Sequence, residues 1–153
     1  AVGGWCGDTL PELDIAAPPA DGFAGNGELE LRDSENGTLL RTWTDEQESA
    51  SFARSVTALG DVDGDLCTDL LIGKPLARFG GGRAAVELRS GRTGNRLWSS
   101  EDDRPSFGAA LAALADVDGD GVRDFAVGAA PLTLQQRGCV WVCSGRDGRR
   151  LLT

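Results

Sequence analysis

The 153-residue sequence contains no histidine, no methionine and no tyrosine, and its one lysine is Lys74. Histidine is the commonest general base and a frequent zinc ligand, so its absence disfavours both kinds of site. No run of 18 apolar residues occurs, which predicts a chain without a membrane-spanning helix. Glycine, by contrast, is abundant at 22 residues, and a hydrophobic content of 41% predicts a turn-rich protein that can bury a core.

Two nine-residue segments, residues 61–69 and 116–124, carry aspartates at positions 1, 3, 5 and 9. Carboxylates at these odd-numbered positions of a tightly turning chain point inward together, and the carbonyl at position 7 adds a neutral oxygen. This all-oxygen shell suits Ca²⁺ better than Mg²⁺. An acidic loop that is merely solvated would rarely repeat the same spacing twice, which favours a metal site. The predicted ligands of two Ca²⁺ sites are Asp61, Asp63, Asp65, Cys67 and Asp69, and Asp116, Asp118, Asp120, Val122 and Asp124.

The two acidic segments belong to a longer repeat. Their offset of 55 residues also carries Phe52 to Phe107, and it relates Asp14 to Asp69 in a more degenerate first copy. We therefore divide the chain into three repeats: residues 1–49, whose first strand is incomplete, residues 50–104 and residues 105–153. The first copy keeps two of four carboxylates, so no Ca²⁺ is expected there; its four positions are Cys6, Asp8, Leu10 and Asp14.

Each repeat is predicted to contain four β-strands. The acidic loop runs into short apolar stretches that stop at Gly and Pro, whereas the loop of an EF-hand or a dockerin leads into a helix. An alternating segment, a glycine turn and a last strand then form a hairpin. Four antiparallel strands make a β-propeller blade, so the predicted fold class is all-β. The strands before the loops are predicted at residues 55–59 and 109–114, and the alternating segments at residues 28–32, 84–89 and 139–143.

The alternating segments also predict which side chains are buried. The face expected to be buried carries Leu29, Leu31, Val86, Leu88, Val140 and Val142. The opposite face is expected to be exposed in repeats one and two, where it carries Glu30, Arg32, Glu87 and Arg89, and to be buried or used in repeat three, where it carries Trp141 and Cys143. A solvated outer edge is expected for the arginines at positions 89, 92, 96, 146, 149 and 150.

These features resemble the FG-GAP repeat of the integrin α-subunit head and of many bacterial secreted propellers. In repeat three the resemblance rests on Phe107-Gly108, the acidic loop, residues 128–131 and a trailing Val-x-Val-x-Ser-Gly-x-x-Gly pattern. It covers essentially the whole chain. It implies a calcium-binding β-propeller located outside the cytoplasm, whether extracellular, on the cell surface or periplasmic.

Repeat two departs from the family pattern at three places. Ala53 follows Phe52 in place of glycine, and residues 73–75 read Gly-Lys-Pro in place of Gly-Ala-Pro. Leu66 occupies loop position 6, where the family usually has glycine. A positive φ is often needed there, and a γ-branched residue resists it. Repeat two is therefore expected to bind Ca²⁺ more weakly than repeat three, which has Gly121.

The acidity of the chain is concentrated in the loops. The net charge is −9, but 16 acids face 15 bases once the eight loop aspartates are set aside. The charge therefore does not indicate a basic partner, and nothing in the sequence favours nucleic acid. Three repeats are too few for a ring of about 4 to 8 blades, so the expected partners include the remaining blades of a longer chain, which we favour, or copies of the chain itself.

Four cysteines allow three disulfide pairings. Cys139 and Cys143 lie about 13 Å apart along one predicted strand, which is past disulfide reach. Cys67 is expected to lend its carbonyl to the loop and Cys6 to lie in the degenerate loop. A small buried hydrophobic side chain is the preferred interpretation of each.

Two classes of function remain. The first is a Ca²⁺-stabilised extracellular propeller that acts as a binding or scaffold module for protein or carbohydrate ligands. The second is a propeller-fold polysaccharide lyase or hydrolase, or a part of one. A lyase could use Lys or Arg with Ca²⁺ as electrophile, and Lys74 is the chain's one lysine. The absence of histidine and the commitment of the conspicuous carboxylates to metal favour the first. A solvated loop cation is the simpler interpretation of Lys74.

Overall fold

The computed structural model describes residues 6, 12–17, 27–33, 35–44, 51–75, 83–104, 106–131 and 137–152. No helix within them is long and apolar enough to cross a membrane. The strands found there are β1 Glu12–Ala17, β2 Glu28–Asp33, β3 Leu39–Thr44, β4 Ser55–Gly60, β5 Asp69–Lys74, β6 Ala84–Arg89, β7 Arg96–Asp102, β8 Phe107–Ala113, β9 Phe125–Ala129, β10 Cys139–Cys143 and β11 Arg150–Leu152.

The strands form three antiparallel sheets in which neighbours in sequence are neighbours in space. Their orders are β1-β2-β3, β4-β5-β6-β7 and β8-β9-β10-β11. Each sheet falls within one predicted repeat, and we call them blades one, two and three. The four-stranded meanders confirm the predicted all-β, propeller-blade class. The strand expected before the first loop, and most of that loop, lie outside the described residues.

Most strand bounds agree with the prediction. Residues 84–89 and 139–143 are the strands β6 and β10 from end to end. The strand predicted at residues 109–114 begins earlier, as β8, because Phe107 pairs with Ala129 across an irregularity in register between Phe107 and Ala110. Gly108 lies within this irregularity with φ 84°. The bulge thus joins the Phe-Gly pair to the first strand of blade three.

One kind of glycine turn closes the hairpin after β2, β6 and β10. Its glycine has a left-handed backbone, with φ of 72°, 80° and 74°, which other residues adopt at a cost. The glycine N–H donates to the carbonyl four residues earlier at 2.8–2.9 Å. The glycines and their acceptors are Gly37 and Asp33, Gly94 and Ser90, and Gly148 and Ser144.

Blade two is covered on both faces. Because successive side chains of a strand point to opposite faces, β5 and β6 are buried along their whole length. The cluster shared with blade one contains Leu29, Leu31, Trp43, Phe52, Leu70 and Ile72. The cluster shared with blade three contains Leu71, Val86, Leu88, Phe107, Phe125, Val127 and Trp141.

The expectation that blade two exposes its charged face is wrong. Glu87 and Arg89 are 1% and 6% exposed, because that face packs against blade one. Arg89 donates from Nε to Glu87 Oε1 at 2.7 Å and lies over the ring of Phe52. Lys74 Nζ lies 3.8 Å from Glu87 Oε2. An isolated buried ion is costly, so the pairing is what makes this burial tolerable. Lys74 is therefore a buried cation and not a solvated one.

The predicted buried face is found in blades one and two but not in blade three. Leu29, Leu31, Val86 and Leu88 are fully buried, whereas Val140 is 62% exposed. Val140 points away from blade two, and no further blade lies on that side among the described residues. The opposite face of the same strand is buried against blade two, as predicted, through Trp141 and Cys143.

The cysteines are not all small buried hydrophobes. Cys6 and Cys67 form a disulfide across a sequence separation of 61 residues. Cys6 itself is exposed. Cys139 and Cys143 are free and do not pair with each other, as predicted from their separation along one strand, and Cys143 is buried. Burial raises the pKa of the Cys143 thiol to about 11, so it is protonated at neutral pH.

Candidate metal centre

Each acidic loop joins the first two strands of its blade, β4 to β5 in blade two and β8 to β9 in blade three. In both loops the carboxylate oxygens of positions 1, 3 and 9 lie within 4.8 Å of one another. We call these sets the triads, and they are Asp61, Asp63 and Asp69, and Asp116, Asp118 and Asp124. The structure thus brings together three of the four predicted carboxylates in each loop.

The two loops share one hydrogen-bond pattern around the first aspartate. Asp61 Oδ1 accepts the N–H groups of Gly64 and Asp65 at 2.7 and 3.0 Å, and its Oδ2 accepts that of Leu66 at 2.9 Å. The same three bonds recur around Asp116 at 2.7–3.2 Å. The backbone therefore wraps around the first carboxylate, which turns the side chains of positions 3 and 9 towards it.

The ninth aspartate anchors each loop to its own blade. Asp69 and Asp124 are fully buried. Asp124 Oδ1 accepts the N–H of Gly145, in the glycine turn, at 3.1 Å, and Asp69 makes the equivalent bond at 3.0 Å with Gly91. Burial raises the pKa of Asp69 above its ordinary value, against the opposing effect of its backbone hydrogen bonds. The ninth position thus links the loop to the turn between the third and fourth strands.

The fifth aspartate lies outside the triad and pairs with an arginine of the glycine turn. Arg146 donates from Nε to Asp120 Oδ2 at 2.8 Å and from Nη2 to the Asp120 carbonyl at 2.7 Å. In blade two, Arg92 Nη2 donates to the carbonyl of Asp65 at 2.6 Å. The hydrogen bond from the Val122 N–H, followed by that from Arg146, holds the pKa of Asp120 below its ordinary value.

The contacts between these arginines and the loops were missed by sequence reasoning, which placed the arginines on a solvated edge. Arg92 and Arg146 are indeed exposed, but they clamp the loops to the turns. The sequence feature that could have predicted these contacts is the Ser-Gly-Arg order that both turns share. Blade one has Glu35 at the equivalent position, in the repeat whose loop has lost two carboxylates.

Loop position 6 has the left-handed backbone that the sequence suggested. Leu66 has φ 68° and Gly121 has φ 87°. The Leu66 side chain is 74% exposed, so burial does little to offset its strain. At position 7, the N–H groups of Cys67 and Val122 donate to the fifth aspartate at 2.8 Å. Their carbonyls, like the fifth carboxylates, remain predicted ligands.

The donor set fits a hard divalent cation. Only oxygen atoms are offered, and three carboxylates converge within 4.8 Å in each loop. Their mutual repulsion is relieved by a positive ion. The two loops can therefore hold one cation each, with Asp61, Asp63 and Asp69 as the core of one site and Asp116, Asp118 and Asp124 as the core of the other.

The glycine turn also contacts the preceding blade. Trp98, at the edge of blade two, donates from Nε1 to the carbonyl of Gly145 at 3.0 Å. Its ring stacks on Phe125 with the centroids 5.7 Å apart. A Cβ added to Gly148 would lie 2.9 Å from the same indole. Glycine is therefore required there because a side chain would clash with Trp98, as well as because φ is positive. The turn that anchors Asp124 is therefore part of the seam between blades two and three.

The FG-GAP repeat family matches residues 107–143, which run from the Phe-Gly pair through the acidic loop to the end of β10. Together with the three-sheet meander and the paired loops, this match defines the class of protein: the chain belongs to the FG-GAP repeat family of β-propellers, as its resemblance predicted.

Within that class the chain is similar to integrin α subunits. It is 32% identical to integrin alpha-PS2 of Drosophila melanogaster over 94% of the chain. It is 31% identical to integrin alpha-V of Gallus gallus over 95% of the chain, and 35% identical to integrin alpha-5 of Xenopus laevis over 74%. The chain spans 11%, 15% and 12% of the lengths of these relatives, so it corresponds to a small part of each.

Proposed function

We propose that the chain is part of an extracellular β-propeller, stabilised by Ca²⁺, that serves as a binding or scaffold module for protein or carbohydrate ligands. The observation that carries the proposal is the pair of carboxylate triads, which recur at the same place in two successive blades. The similarity to integrin α subunits supports the extracellular location and favours a protein ligand over a carbohydrate.

The charge of the loops explains why a cation should stabilise the fold. Two carboxylates at about 5 Å repel each other by about 1 kcal/mol in water, and each triad contains three such pairs. A divalent ion converts this repulsion into attraction and joins the first two strands of the blade. Ca²⁺ is favoured because flexible all-oxygen shells suit it, and extracellular modules bind it with Kd values of about 10⁻⁴–10⁻³ M.

Thermal unfolding in CaCl₂ and in chelator tests the metal role. A ligand that binds only the native state stabilises it by about 2.7 kcal/mol at a hundredfold excess over Kd. We therefore expect Ca²⁺ to raise the Tm and Mg²⁺ to raise it less. Asp116→Asn should lose part of the Ca²⁺ effect, whereas the control Asp103→Asn, which alters an exposed pair with Arg83, should keep all of it. Equal Tm values with and without Ca²⁺ in the unaltered chain would refute the proposal.

The outer face of blade three is proposed to be covered by a further blade, from the rest of a longer chain or from a second copy. Its Val140 and Leu152 are 62% and 58% exposed, whereas the equivalent face of blade two is buried against blade three. Light scattering of the purified chain should reveal self-association. Val140→Lys should abolish it, whereas Val117→Lys, an exposed change in the loop of blade three, should not. A stable monomer that binds no apolar dye would contradict this assignment.

The lyase alternative needs a Lys or Arg side chain that reaches the substrate, and Lys74 is the one lysine of the chain. Lys74 is buried and lies beside Glu87 in the packing between blades one and two. A substrate polymer does not reach a side chain in that position without separating the blades. The geometry therefore supports the binding module over this enzyme.

A further inference from the structure

The glycine turn of blade three carries a second arginine that reaches the acidic loop. Arg149 donates from Nη2 to Asp118 Oδ2 at 2.6 Å. Asp118 belongs to the triad, whereas Asp120, the partner of Arg146, does not. Arg149 therefore places a positive charge directly on a carboxylate that is proposed to hold the cation.

Blade two provides an internal comparison, because Asn95 occupies the equivalent place in its turn. The carbonyl of Asn95 accepts the N–H of Ser90 at 2.9 Å, as the carbonyl of Arg149 accepts that of Ser144 at 2.8 Å. Within the part of the chain that the structure describes, no arginine contacts Asp63, the counterpart of Asp118. The turn of blade three thus places on its triad a guanidinium that the turn of blade two lacks. The same guanidinium also lies near Asp147, with Nε 3.7 Å from Oδ2, where blade two has Thr93.

We propose that Arg149 is a positioning residue that sets the cation affinity of blade three by acting as a built-in counter-charge. The proposal rests on the Ca²⁺ sites proposed above. In the cation-free loop, the guanidinium offsets the repulsion among the carboxylates. In the loaded loop, it repels the ion and competes for Asp118. Arg149 therefore stabilises the cation-free protein while weakening cation binding, and these two effects have opposite signs.

The two turns permit a reciprocal exchange, Arg149→Asn and Asn95→Arg, in which each new residue already occurs at the matching position. CaCl₂ is titrated calorimetrically into the metal-free chain at low ionic strength. From the strength of exposed ion pairs, Arg149→Asn should lower the Kd of the blade-three site by about 2- to 5-fold, and Asn95→Arg should raise that of the blade-two site by a similar factor. Both effects should shrink in about 0.5 M salt, where charges are screened.

The Tm supplies a readout that a merely structural arginine would not produce. Arg149→Asn should lower the Tm in chelator and widen the Tm increase that Ca²⁺ produces. Arg149→Lys keeps the charge, and because Arg149 makes a single hydrogen bond to Asp118, it should leave the Kd closer to that of the unaltered chain than Arg149→Asn does. Arg83→Asn, which removes a charge from an exposed pair with Asp103 outside both loops, should leave it unchanged.

Failure of this proposal is distinguishable from failure of the Ca²⁺ sites. Two bound Ca²⁺ ions with unaltered Kd values in both exchange variants would overturn the role of Arg149 and leave the sites standing. An unaltered chain that takes up no Ca²⁺ would overturn the sites, and this proposal with them. If Arg149→Asn does not fold, Asn95→Arg decides the question alone, and an unchanged blade-two Kd there refutes the counter-charge.

Discussion

Blades two and three have the same strand order and the same loop geometry, yet they place different residues where the backbone is left-handed. Blade three has Gly108 and Gly121, with φ of 84° and 87°, whereas blade two has Ala53 and Leu66, with φ of 58° and 68°. A residue other than glycine in such a region carries roughly 1–3 kcal/mol of strain. The blade architecture thus imposes these conformations even where the residue that favours them has been lost.

The difference between the blades also shows where strain is tolerated. Blade two is packed on both faces and its loop is crosslinked through Cys67 to Cys6, whereas the loop of blade three has Val122 at that position and an outer face that is open. Backbone strain persists when the surrounding structure determines the conformation. Blade two has that support, and blade three relies on glycine.

The largest expected effect is that of removing the crosslink. Cys6→Ser should lower the free energy of unfolding by about 4 kcal/mol, since the bridge closes a segment of 61 residues that is otherwise free in the unfolded chain. Urea unfolding measures the change, and Cys139→Ser, which alters a free cysteine, is the control. A loss below about 1 kcal/mol would show that blade two does not depend on the bridge.

The cation sites come next, with the full Ca²⁺ effect near 2.7 kcal/mol at a hundredfold excess over Kd. Asp120→Ala or Asp124→Ala should remove more of the Ca²⁺-dependent stability than Asp65→Ala or Asp69→Ala. Strain at Leu66 of about 1–3 kcal/mol outweighs the exposed Arg149 pair, which contributes about 0.2–1 kcal/mol. For each variant, the difference between the Tm in Ca²⁺ and the Tm in chelator is compared. Hydrogen bonds that the variant loses in both conditions do not contribute to this difference. A tighter site in blade two would reverse the ranking.

The Phe-Gly position should give opposite results in the two blades. A Cβ on Gly108 would lie 2.8 Å from the Ala85 carbonyl oxygen, so Gly108→Ala should destabilise by about 2 kcal/mol. Ala53→Gly should relieve strain and stabilise by up to about 1 kcal/mol, because part of the gain is offset by added entropy in the unfolded chain. Chemical denaturation measures both. Destabilisation by Ala53→Gly would mean that the buried methyl group contributes more than its strain costs.

The smallest expected effect is that of Leu66→Gly. Leu66 is exposed, so little burial is lost, and stability should rise by about 0.5–1 kcal/mol while the blade-two Kd for Ca²⁺ decreases. Gly121→Leu is the matched reverse change. A Cβ on Gly121 meets nothing within 4 Å, so any loss there is conformational and not steric. An unchanged Kd in Leu66→Gly would show that the backbone strain at Leu66 does not lower the Ca²⁺ affinity of blade two.

Local signals in the sequence predicted the strands, turns and loops because each depends on residues close in the chain. The glycine of each hairpin turn and the alternation in β6 can be recognised in the sequence without knowledge of any tertiary contact. The positive φ at loop position 6 was expected from the family resemblance, in which glycine usually stands there, and both Leu66 and Gly121 have it.

Features that depend on contact between blades could not be predicted in the same way. Glu87 and Arg89 alternate with apolar residues as an exposed face does, and only the neighbouring blade buries them. The Cys6–Cys67 bridge joins residues 61 apart, where four cysteines leave three pairings open. The contact of Arg149 with Asp118 depends on how the turn folds back over the loop, which spacing alone does not specify.

One residue described above, Gly145, contacts two parts of the molecule at once. The N–H of Gly145 is bonded to Asp124 in the acidic loop, while its carbonyl is bonded to Trp98 of the preceding blade. Opening the loop around Asp124 therefore disturbs a residue that also bonds to the preceding blade. We therefore expect the loop and the seam to open together in local unfolding, so that exchange of the Gly145 amide hydrogen reports on both.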